Sequence, residues 1–424
     1  MIYVAVIGAG AAGLCVGRYL AAQQDVFSAV IYEQSSYVGG TWAYNEKTGL
    51  DDNGVSIPSK VYSNLRTNLP KQVMGFPDFP FPDEVSSYMT HAQVQRHLED
   101  YADHFSVRNL IQFNTQVVRV TPKVQENTKE KWEVTVKDVR SEKETTSIFD
   151  AVVCCIGKVP KIPPIPGINE FPGLVLHSQD YRHPEDYKDK RVAILGAKSS
   201  GIDICIDLRN SAEAVYLSHH HDRIVCNLPD NVEQHLDVKE VLADRTIIFQ
   251  DGQTRKADAI IFCTGYELSF PFLTDKCGIT LEDSRVTHLY KHLFNIKYPS
   301  MSFIGLGIQV CFFPQYSLQA RLVVAFLSNK VMLPTKQEML VDEETEFQDK
   351  ISQGMKTHYA HFLGNKQWEY NEDIAKLAKC EPVPPIVQNL YYHHWTFRSK
   401  DLLGYKKREY KATSDSTWID VVTD

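Results

Sequence analysis

The segment that decides the fold is YVAVIGAGAAG, Tyr3 to Gly13, near the start of the chain. A continuous apolar run leads directly into three glycines, and Leu14 to Ala22 then follows with apolar residues at helical spacing. A second apolar run, Ala29 to Tyr32, completes a β-α-β unit. The G-x-G-x-x-G order permits a tight turn, close approach of the backbone to a pyrophosphate, and close packing of helix on strand. The segment therefore predicts a Rossmann-like dinucleotide-binding domain.

The residue that ends the second run selects the nucleotide. Glu33 stands twenty residues after the last glycine of the turn. A carboxylate at this place accepts both ribose hydroxyls and disfavours a 2′-phosphate, while the helix N-terminus attracts the phosphates. This first site is predicted to take FAD or NAD rather than NADP. Its expected cofactor-binding residues are Gly8, Ala9, Gly10, Ala11, Ala12, Gly13 and Glu33.

A second unit of the same kind begins at Arg191 to Leu195 and continues into GAKSSG. This turn keeps Gly196 and Gly201 but has Lys198 where the first turn has its middle glycine. No acid ends the next strand; three histidines and Arg223 follow it instead. Basic groups suit a 2′-phosphate, so NADP is favoured over NAD. A plain surface charge stays open for Lys198 and Arg223, and a solvated loop for the histidines.

The order of strands and linkers along the chain predicts that the second unit is inserted in the first. The apolar strand Asp150 to Gly157 is followed by KVPKIPPIPG, whose clustered prolines mark a linker. A matching strand, Asp258 to Gly265, closes the second unit. We therefore predict an α/β protein with two Rossmann-like domains, in which the NADP domain interrupts the FAD domain. The expected ranges are 1–157 for the first part of the FAD domain, 158–265 for the NADP domain, and 266–424 for completion and a C-terminal helical segment.

The composition limits the partners. The 424 residues are 43% hydrophobic, enough for a large core, and carry a formal net charge of −8, the wrong sign for nucleic acid. No C-x-x-C or C-x-x-H pair occurs, so no metal site is expected.

The most apolar stretch, Met301 to Pro314, is too short to cross a bilayer. Met1 runs straight into the first strand, which favours a soluble cytoplasmic protein, or an extracellular one if a leader was removed.

If the first site takes FAD and the second takes NADP, electrons flow from reduced nicotinamide to flavin. The reaction class then depends on which molecule accepts the electrons from the flavin. A disulfide reductase needs two closely spaced cysteines beside the flavin, and GGTWAYNEKTGL after the first unit has none. Oxygen is therefore the expected acceptor.

A fingerprint between the two units makes the resemblance specific. FPGLVLHSQDY resembles the F-x-G-x-x-x-H-x-x-x-Y pattern of flavin-containing monooxygenases, with Phe171, Gly173, His177 and Tyr181 in register. The segments GGTW, TNLPKQVM, FCTGY and LQAR also resemble the family, so the resemblance spans nearly the whole chain. It is nearest to the insect-type branch, which includes enzymes that N-oxygenate pyrrolizidine alkaloids. Related Baeyer–Villiger enzymes usually have Trp at the place of Tyr181, so ketone insertion is disfavoured.

The resemblance implies a reaction cycle. NADPH reduces FAD, oxygen adds at flavin C4a, and a nitrogen or sulfur nucleophile attacks the resulting hydroperoxyflavin. The expected substrate is a tertiary amine alkaloid or another small xenobiotic, with O2 as co-substrate. The apolar C-terminal membrane anchor of the vertebrate branch has no counterpart, and the basic run Lys406 to Lys411 is interpreted as a solvated face. A homo-oligomer stays open.

The resemblance also implies site residues. Asn68 matches the family's Asn beside flavin and nicotinamide and is the expected catalytic residue, with a turn-capping role as the alternative. His177 and Tyr181 are expected to brace the two domains rather than to react. The remaining expected contacts to flavin or nicotinamide nucleotide are Gly40, Thr41, Trp42, Thr67, Leu69, Ser200, Gly201, Ile202, Asp203, Gln319 and Arg321.

Two other functions share these nucleotide motifs. An NADPH oxidase or flavin reductase would release hydrogen peroxide, and Lys198 in the second turn favours it if NADP+ is poorly retained. A non-catalytic nucleotide-binding module would keep the fold without turnover; the intact glycine turn, Glu33 and Asn68 argue against it.

Overall fold

A mixed seven-stranded sheet and a parallel five-stranded sheet, one for each glycine turn, form the frame of the computed structural model, which describes residues 1–125 and 129–421. Its α-helices over those ranges are α1 (Ala11–Ala21), α2 (Lys71–Met74), α3 (His91–His104), α4 (Ser199–Asp207), α5 (Phe312–Leu327), α6 (Lys336–Ser352), α7 (Gln367–Ala378) and α8 (Pro385–Arg398).

The strands over the same ranges are β1 (Ile2–Ile7), β2 (Phe27–Tyr32), β3 (Ile111–Gln112), β4 (Thr115–Lys123), β5 (Lys131–Asp138), β6 (Glu144–Phe149), β7 (Ala151–Cys154), β8 (Lys158–Pro160), β9 (Leu174–His177), β10 (Arg191–Leu195), β11 (Ala214–Ser218), β12 (Val232–His235), β13 (Val238–Val241), β14 (Thr246–Phe249), β15 (Thr254–Lys256), β16 (Ala259–Phe262), β17 (Tyr266–Leu268), β18 (Leu281–Glu282), β19 (Arg285–Val286), β20 (Leu289–Tyr290), β21 (Phe294–Asn295), β22 (Met301–Phe303), β23 (Glu409–Ala412) and β24 (Trp418–Val421).

The first sheet has seven strands in the order β20-β21-β22-β7-β1-β2-β3. Strand β1 pairs in parallel with both β2 and β7. Along β1, Val4 and Val6 enter one core cluster while Ala5 and Ile7 enter the other, so both faces of the sheet are buried. Burial on both faces explains why this strand reads as a continuous apolar run instead of an alternating one.

The second sheet has five parallel strands in the order β12-β11-β10-β16-β9. Val192 and Ile194 of β10 pack into one core, and Ala193 and Leu195 pack into the other. The strand therefore repeats the two-sided burial of β1, and the turn that follows it occupies the same place at the carboxyl edge of its sheet.

The second sheet lies between two parts of the first along the chain. Strand β7 precedes it and β22 follows it, and these two strands pair in parallel in the first sheet. The antiparallel ribbon of β8 and β17 carries the chain out of one unit and back. The fold is thus the predicted α/β arrangement with one dinucleotide unit inserted in the other; the boundaries at 157/158 and 265/266 stay a prediction.

Helices and a small sheet cover the first sheet. Apolar side chains of α1, α3, α5 and α7 share one core cluster, and the antiparallel sheet β4-β5-β6 packs on the opposite face. Helix α3 starts at His91 because Thr90 and Gln93 form a capping box. No helix among the described residues is both long enough and apolar enough to cross a membrane.

Candidate cofactor and active site

The three glycines of the first turn have two different physical roles. Gly8 has φ +97°, and a Cβ there would stand 2.4 Å from Ile156. A Cβ on Gly13 would lie 1.8 Å from the carbonyl oxygen of Gly8. Gly10 is different, because its φ is −74° and a Cβ would meet only Gly40 Cα, at an ordinary 3.6 Å. Protein packing therefore requires Gly8 and Gly13, whereas the missing side chain of Gly10 keeps a cradle open for a ligand.

Hydrogen-bond donors point into this cradle. Gly10 is the N-cap of α1 and gives it no side-chain cap, so the first-turn N–H groups, including those of Ala11 and Ala12, are available to an anion. The buried Glu33 carboxylate accepts the Ala9 N–H at 2.7 Å and the N–H and hydroxyl of Ser35. A carboxylate has about four acceptor sites, so one remains for a ribose hydroxyl.

The segment Gly40–Trp42 forms a short 3-10 turn against the glycine turn. The Gly39 N–H donates to the Ala9 carbonyl at 3.0 Å, which fixes this approach. Thr41 is exposed, while Trp42 packs against the core of the first sheet. The structure thus brings Gly40 and Thr41 to the predicted flavin site, and Trp42 has a packing role there.

The second turn repeats the packing geometry of the first. Gly196 has φ +105°, and a Cβ on Gly201 would lie 1.8 Å from the Gly196 carbonyl oxygen. Lys198 stands at the N-cap of α4 with φ −81°, a conformation open to any residue. Its ammonium donates to the Tyr359 hydroxyl at 3.0 Å. Exposed Ser200 and buried Ile202 lie in the first turn of α4.

The end of β11 holds a polar group where the first unit has Glu33. His219 is 4% exposed, and its Nδ1 has no hydrogen-bond partner among the described residues. Arg223 is exposed and forms no ion pair within residues 1–125 and 129–421. The interpretation of all three histidines as a solvated loop is wrong for His219, because its ring packs inward beside Gln234. The exposed Arg223 guanidinium, which has no ion pair among the described residues, suits the predicted 2′-phosphate.

Asn68 lies in a loop, and only the oxygen atom of its side-chain amide has a hydrogen-bond partner among the described residues. The Tyr405 hydroxyl donates to Asn68 Oδ1 at 3.4 Å, and Nδ2 has no partner within the described part of the chain. Thr67 is 1% exposed and its hydroxyl accepts the Met89 N–H at 3.1 Å, so its side chain faces the protein instead of a nucleotide. Leu69 packs into an aromatic cluster with Tyr405.

Lys406 connects this loop to the second unit. Its ammonium donates to the Arg66 carbonyl at 3.1 Å and to Asp203 Oδ2 at 2.9 Å. Asp203 of α4 is 6% exposed, so the ion pair is largely buried. The interpretation of Lys406 to Lys411 as a solvated face is therefore wrong for Lys406 and for buried Tyr410, whereas Lys407 and Lys411 are exposed. The sequence predicts that Asp203 contacts a nucleotide, and such a contact would compete with the ion pair between Asp203 and Lys406.

The fingerprint residues brace the linker. His177 Nδ1 accepts the Gln179 N–H at 3.1 Å, so Nε2 carries the proton and donates to the Gly265 carbonyl at 3.0 Å. Burial lowers the pKa of His177 and keeps the ring neutral. The Tyr181 hydroxyl donates to Asp207 at 2.7 Å. Sequence reasoning missed the next residue, buried Arg182, which donates to four carbonyl oxygens, those of Asn45, Lys47, Gln179 and Tyr181.

Two residues expected near the flavin have other partners. Gln319 is 1% exposed, accepts the Gly305 N–H at 3.0 Å and donates to Tyr370 at 2.8 Å, so it orients the loop after β22. Arg321 lies 5.7 Å from the Tyr19 ring centroid. Tyr19 is eight residues beyond Ala11, about 12 Å along α1, so the structure does not bring Arg321 to the glycine turn.

Comparison with known proteins assigns the family. The flavin-binding monooxygenase-like family profile matches residues 2–231 and 219–394. The flavin-containing monooxygenases FMO GS-OX-like 4 and FMO GS-OX5 of Arabidopsis thaliana are 34% and 38% identical over 438 and 401 residues; the matches cover 99% and 89% of this chain and 94% and 85% of those proteins.

Solved structures agree with this assignment. The S-allyl-L-cysteine S-oxygenase of Allium sativum has a TM-score of 0.88 and 33% identity, with 96% of this chain and 95% of that chain covered. Tmm of Pelagibacter sp. strain HTCC7211 has a TM-score of 0.86 and 25% identity, with 99% and 95% covered. The insect-type branch stays a prediction. The two glycine turns, the fingerprint and these matches together show that the chain belongs to the flavin-binding monooxygenase-like family, whose cofactors are FAD and NADPH.

Proposed function

We propose that the chain uses NADPH and O2 to oxygenate a nitrogen or sulfur atom of a small soft nucleophile. Residues 1–157 and 266–424 hold FAD, and residues 158–265 hold NADP(H). When bound, FAD supplies the redox chemistry: NADPH gives two electrons, one oxygen atom of O2 goes to the substrate, and the other leaves as water.

The observation that carries this proposal is the position of the Asn68 loop between the two nucleotide units. Tyr405 bonds Asn68, and the neighbouring Lys406 ties the same loop to Asp203 in the helix after the second glycine turn. A nicotinamide and a flavin bound at the two turns must meet for hydride transfer, and a loop tied to both units is suited to orient them.

Asn68 has the role of orienting and stabilising the reacting groups. Its Oδ1 accepts from Tyr405, which directs the amide so that the two Nδ2 hydrogens are available to a ligand. A fixed donor can stabilise negative charge that develops on oxygen during transfer, without giving up a proton. The proposal therefore needs no general acid or base from the protein at this place.

Sulfur substrates come first among the candidates. The S-allyl-L-cysteine S-oxygenase is 33% identical over nearly the whole chain, which supports a thioether. The resemblance to alkaloid N-oxygenases, on the other hand, keeps a tertiary amine as the second candidate. Both are neutral or weakly solvated nucleophiles that attack an electrophilic oxygen by the same displacement.

Product yield per NADPH tests the proposal. Purified protein is supplied with NADPH and either S-allyl-L-cysteine, thioanisole or trimethylamine, while sulfoxide or N-oxide and hydrogen peroxide are measured together. We expect one product molecule per NADPH with at least one substrate. Full conversion of NADPH to peroxide with every substrate would instead support an oxidase.

Asn68→Ala should keep FAD and its reduction by NADPH but lower the product yield about tenfold or more. Asn64→Ala is the matched control, because Asn64 is in the same loop but is exposed and bonds Asp207. Equal yields from both variants would remove Asn68 from the reaction.

A further inference from the structure

Two lysines on one side of the linker ribbon have no acidic partner. Lys60 precedes the Asn68 loop, and its Nζ lies 3.6 Å from the ring centroid of Tyr266 in β17. Lys158 opens β8, the partner strand of β17, and its Nζ lies 5.6 Å from the Phe312 ring centroid. Among the described residues, no carboxylate forms an ion pair with either ammonium group.

The strand register places the two ammonium groups on one face. Pro160 is opposite Tyr266, and Lys158 lies two residues before Pro160, so Lys158 and the Tyr266 ring share a face of the ribbon. Glu267 points to the other face and pairs with Lys161 at 3.4 Å. Lys161 is therefore neutralised on one face of the ribbon, whereas Lys158 shares the other face with the Lys60 ammonium that lies over Tyr266.

This face lies close to the first glycine turn. Lys158 is two residues beyond Ile156, which would touch a Cβ on Gly8. The Lys60 N–H donates to the Thr41 carbonyl at 3.5 Å, next to Gly40 and the open cradle of the first turn. Lys158 is exposed, so a ligand can reach its ammonium group.

The electrostatics of the pair are unfavourable without a ligand. Burial, and then the charge of Lys158, lower the pKa of Lys60 to about 7. Buried charges in proteins are paired or hold a ligand, and like charges that share a site raise the energy of both charged forms. An anion between the two ammonium groups would remove this repulsion and restore their full charge.

We propose that Lys60 and Lys158 form an anion-binding pair in the cofactor cleft, which receives a phosphate or carboxylate group carried by a bound dinucleotide or by the substrate. The possibility that the substrate carries this anionic group rests on the proposed function. A carboxylate-bearing thioether would be held by its carboxylate while its sulfur stays free to react.

The test compares Lys60→Met/Lys158→Met with Lys161→Met, which removes a lysine charge from the opposite face. Methionine keeps an unbranched stem and removes the charge. Three affinities are measured: loss of FAD from the diluted holoenzyme by fluorescence, NADP+ binding to the holoenzyme by calorimetry, and the KM for S-allyl-L-cysteine against neutral thioanisole.

We expect the double variant to weaken at least one of these affinities about tenfold, the effect of losing a charged hydrogen bond. A loss confined to FAD, to NADP+ or to S-allyl-L-cysteine identifies the source of the anion. Lys60→Arg/Lys158→Arg should retain the affinities, because it keeps both positive charges.

The proposal would be overturned if the double variant kept all three affinities within about twofold of wild type. Equal losses of affinity in Lys161→Met would also overturn it. Oxygenation of thioanisole by the wild-type protein reports on the proposed function separately, because that substrate carries no charge.

Discussion

The two glycine turns share a backbone frame but differ at the middle glycine. In each, the last glycine would place a Cβ 1.8 Å from the carbonyl oxygen of the first glycine, and the first glycine has φ near +100°. At the middle position the first turn has Gly10 and the second has Lys198, with φ of −74° and −81°. The fold thus accepts a side chain at this position, so the glycine there serves a ligand and the outer glycines serve packing.

The second difference lies at the end of the next strand. Glu33 in the first unit is held by Ala9 and Ser35, while His219 in the second leaves a ring nitrogen without a partner among the described residues. A carboxylate favours a free ribose and repels a 2′-phosphate, and the second unit has no carboxylate at this position. We expect this difference to select different dinucleotides at two turns that share the same backbone frame.

The largest expected effect comes from the packing glycines. Gly13→Ala and Gly201→Ala each force a Cβ to 1.8 Å from a backbone oxygen, which cannot move without displacing a strand end. We expect a loss of about 3 kcal/mol or more in the free energy of unfolding, measured as a lower melting temperature or as insoluble protein. Wild-type melting of either variant would contradict the shared frame.

Gly10→Ala should separate fold from binding. Its Cβ meets only an ordinary contact with Gly40, so the protein should fold with wild-type far-ultraviolet circular dichroism. The new methyl group occupies the phosphate cradle, and we expect FAD retention to fall about tenfold or more. Free FAD fluorescence after dilution measures the effect; unchanged retention would mean that the cradle is not the phosphate site.

Arg223→Ala tests the selectivity of the second unit. Loss of a charged contact to the 2′-phosphate should raise the KM for NADPH about tenfold and leave the KM for NADH nearly unchanged. The matched control is Arg209→Ala, an exposed arginine just beyond α4. Equal changes for the two nucleotides would place the 2′-phosphate elsewhere.

Lys198→Ala should have the smallest effect. If the ammonium contacts phosphate, the dissociation constant of NADP+ rises about threefold to tenfold, because one exposed charge is lost. Tyr359→Phe removes only the hydroxyl that Lys198 bonds in this structure. The same change in both variants would show that Lys198 acts through Tyr359, and a change in neither would make Lys198 a surface charge.

Most of the two-sheet frame could be predicted from local sequence patterns. The apolar run, glycine turn and following helix are adjacent in sequence, so β1, α1 and β2 and their counterparts near Arg191 were predictable. Contacts of Tyr405 and Lys406 with the Asn68 loop join residues more than three hundred positions apart, and no local period encodes them. The inward side chain of Thr67 likewise follows from its bond to Met89, which a motif match does not reveal.

One measurement tests the central claim directly. The protein is given NADPH and thioanisole under 18O2, and the sulfoxide is analysed by mass spectrometry together with NADPH consumption and peroxide. We expect one 18O atom in each sulfoxide molecule, one sulfoxide per NADPH, and little peroxide. Sulfoxide without the label, or NADPH consumed entirely as peroxide while the sulfide is recovered unchanged, would contradict the account.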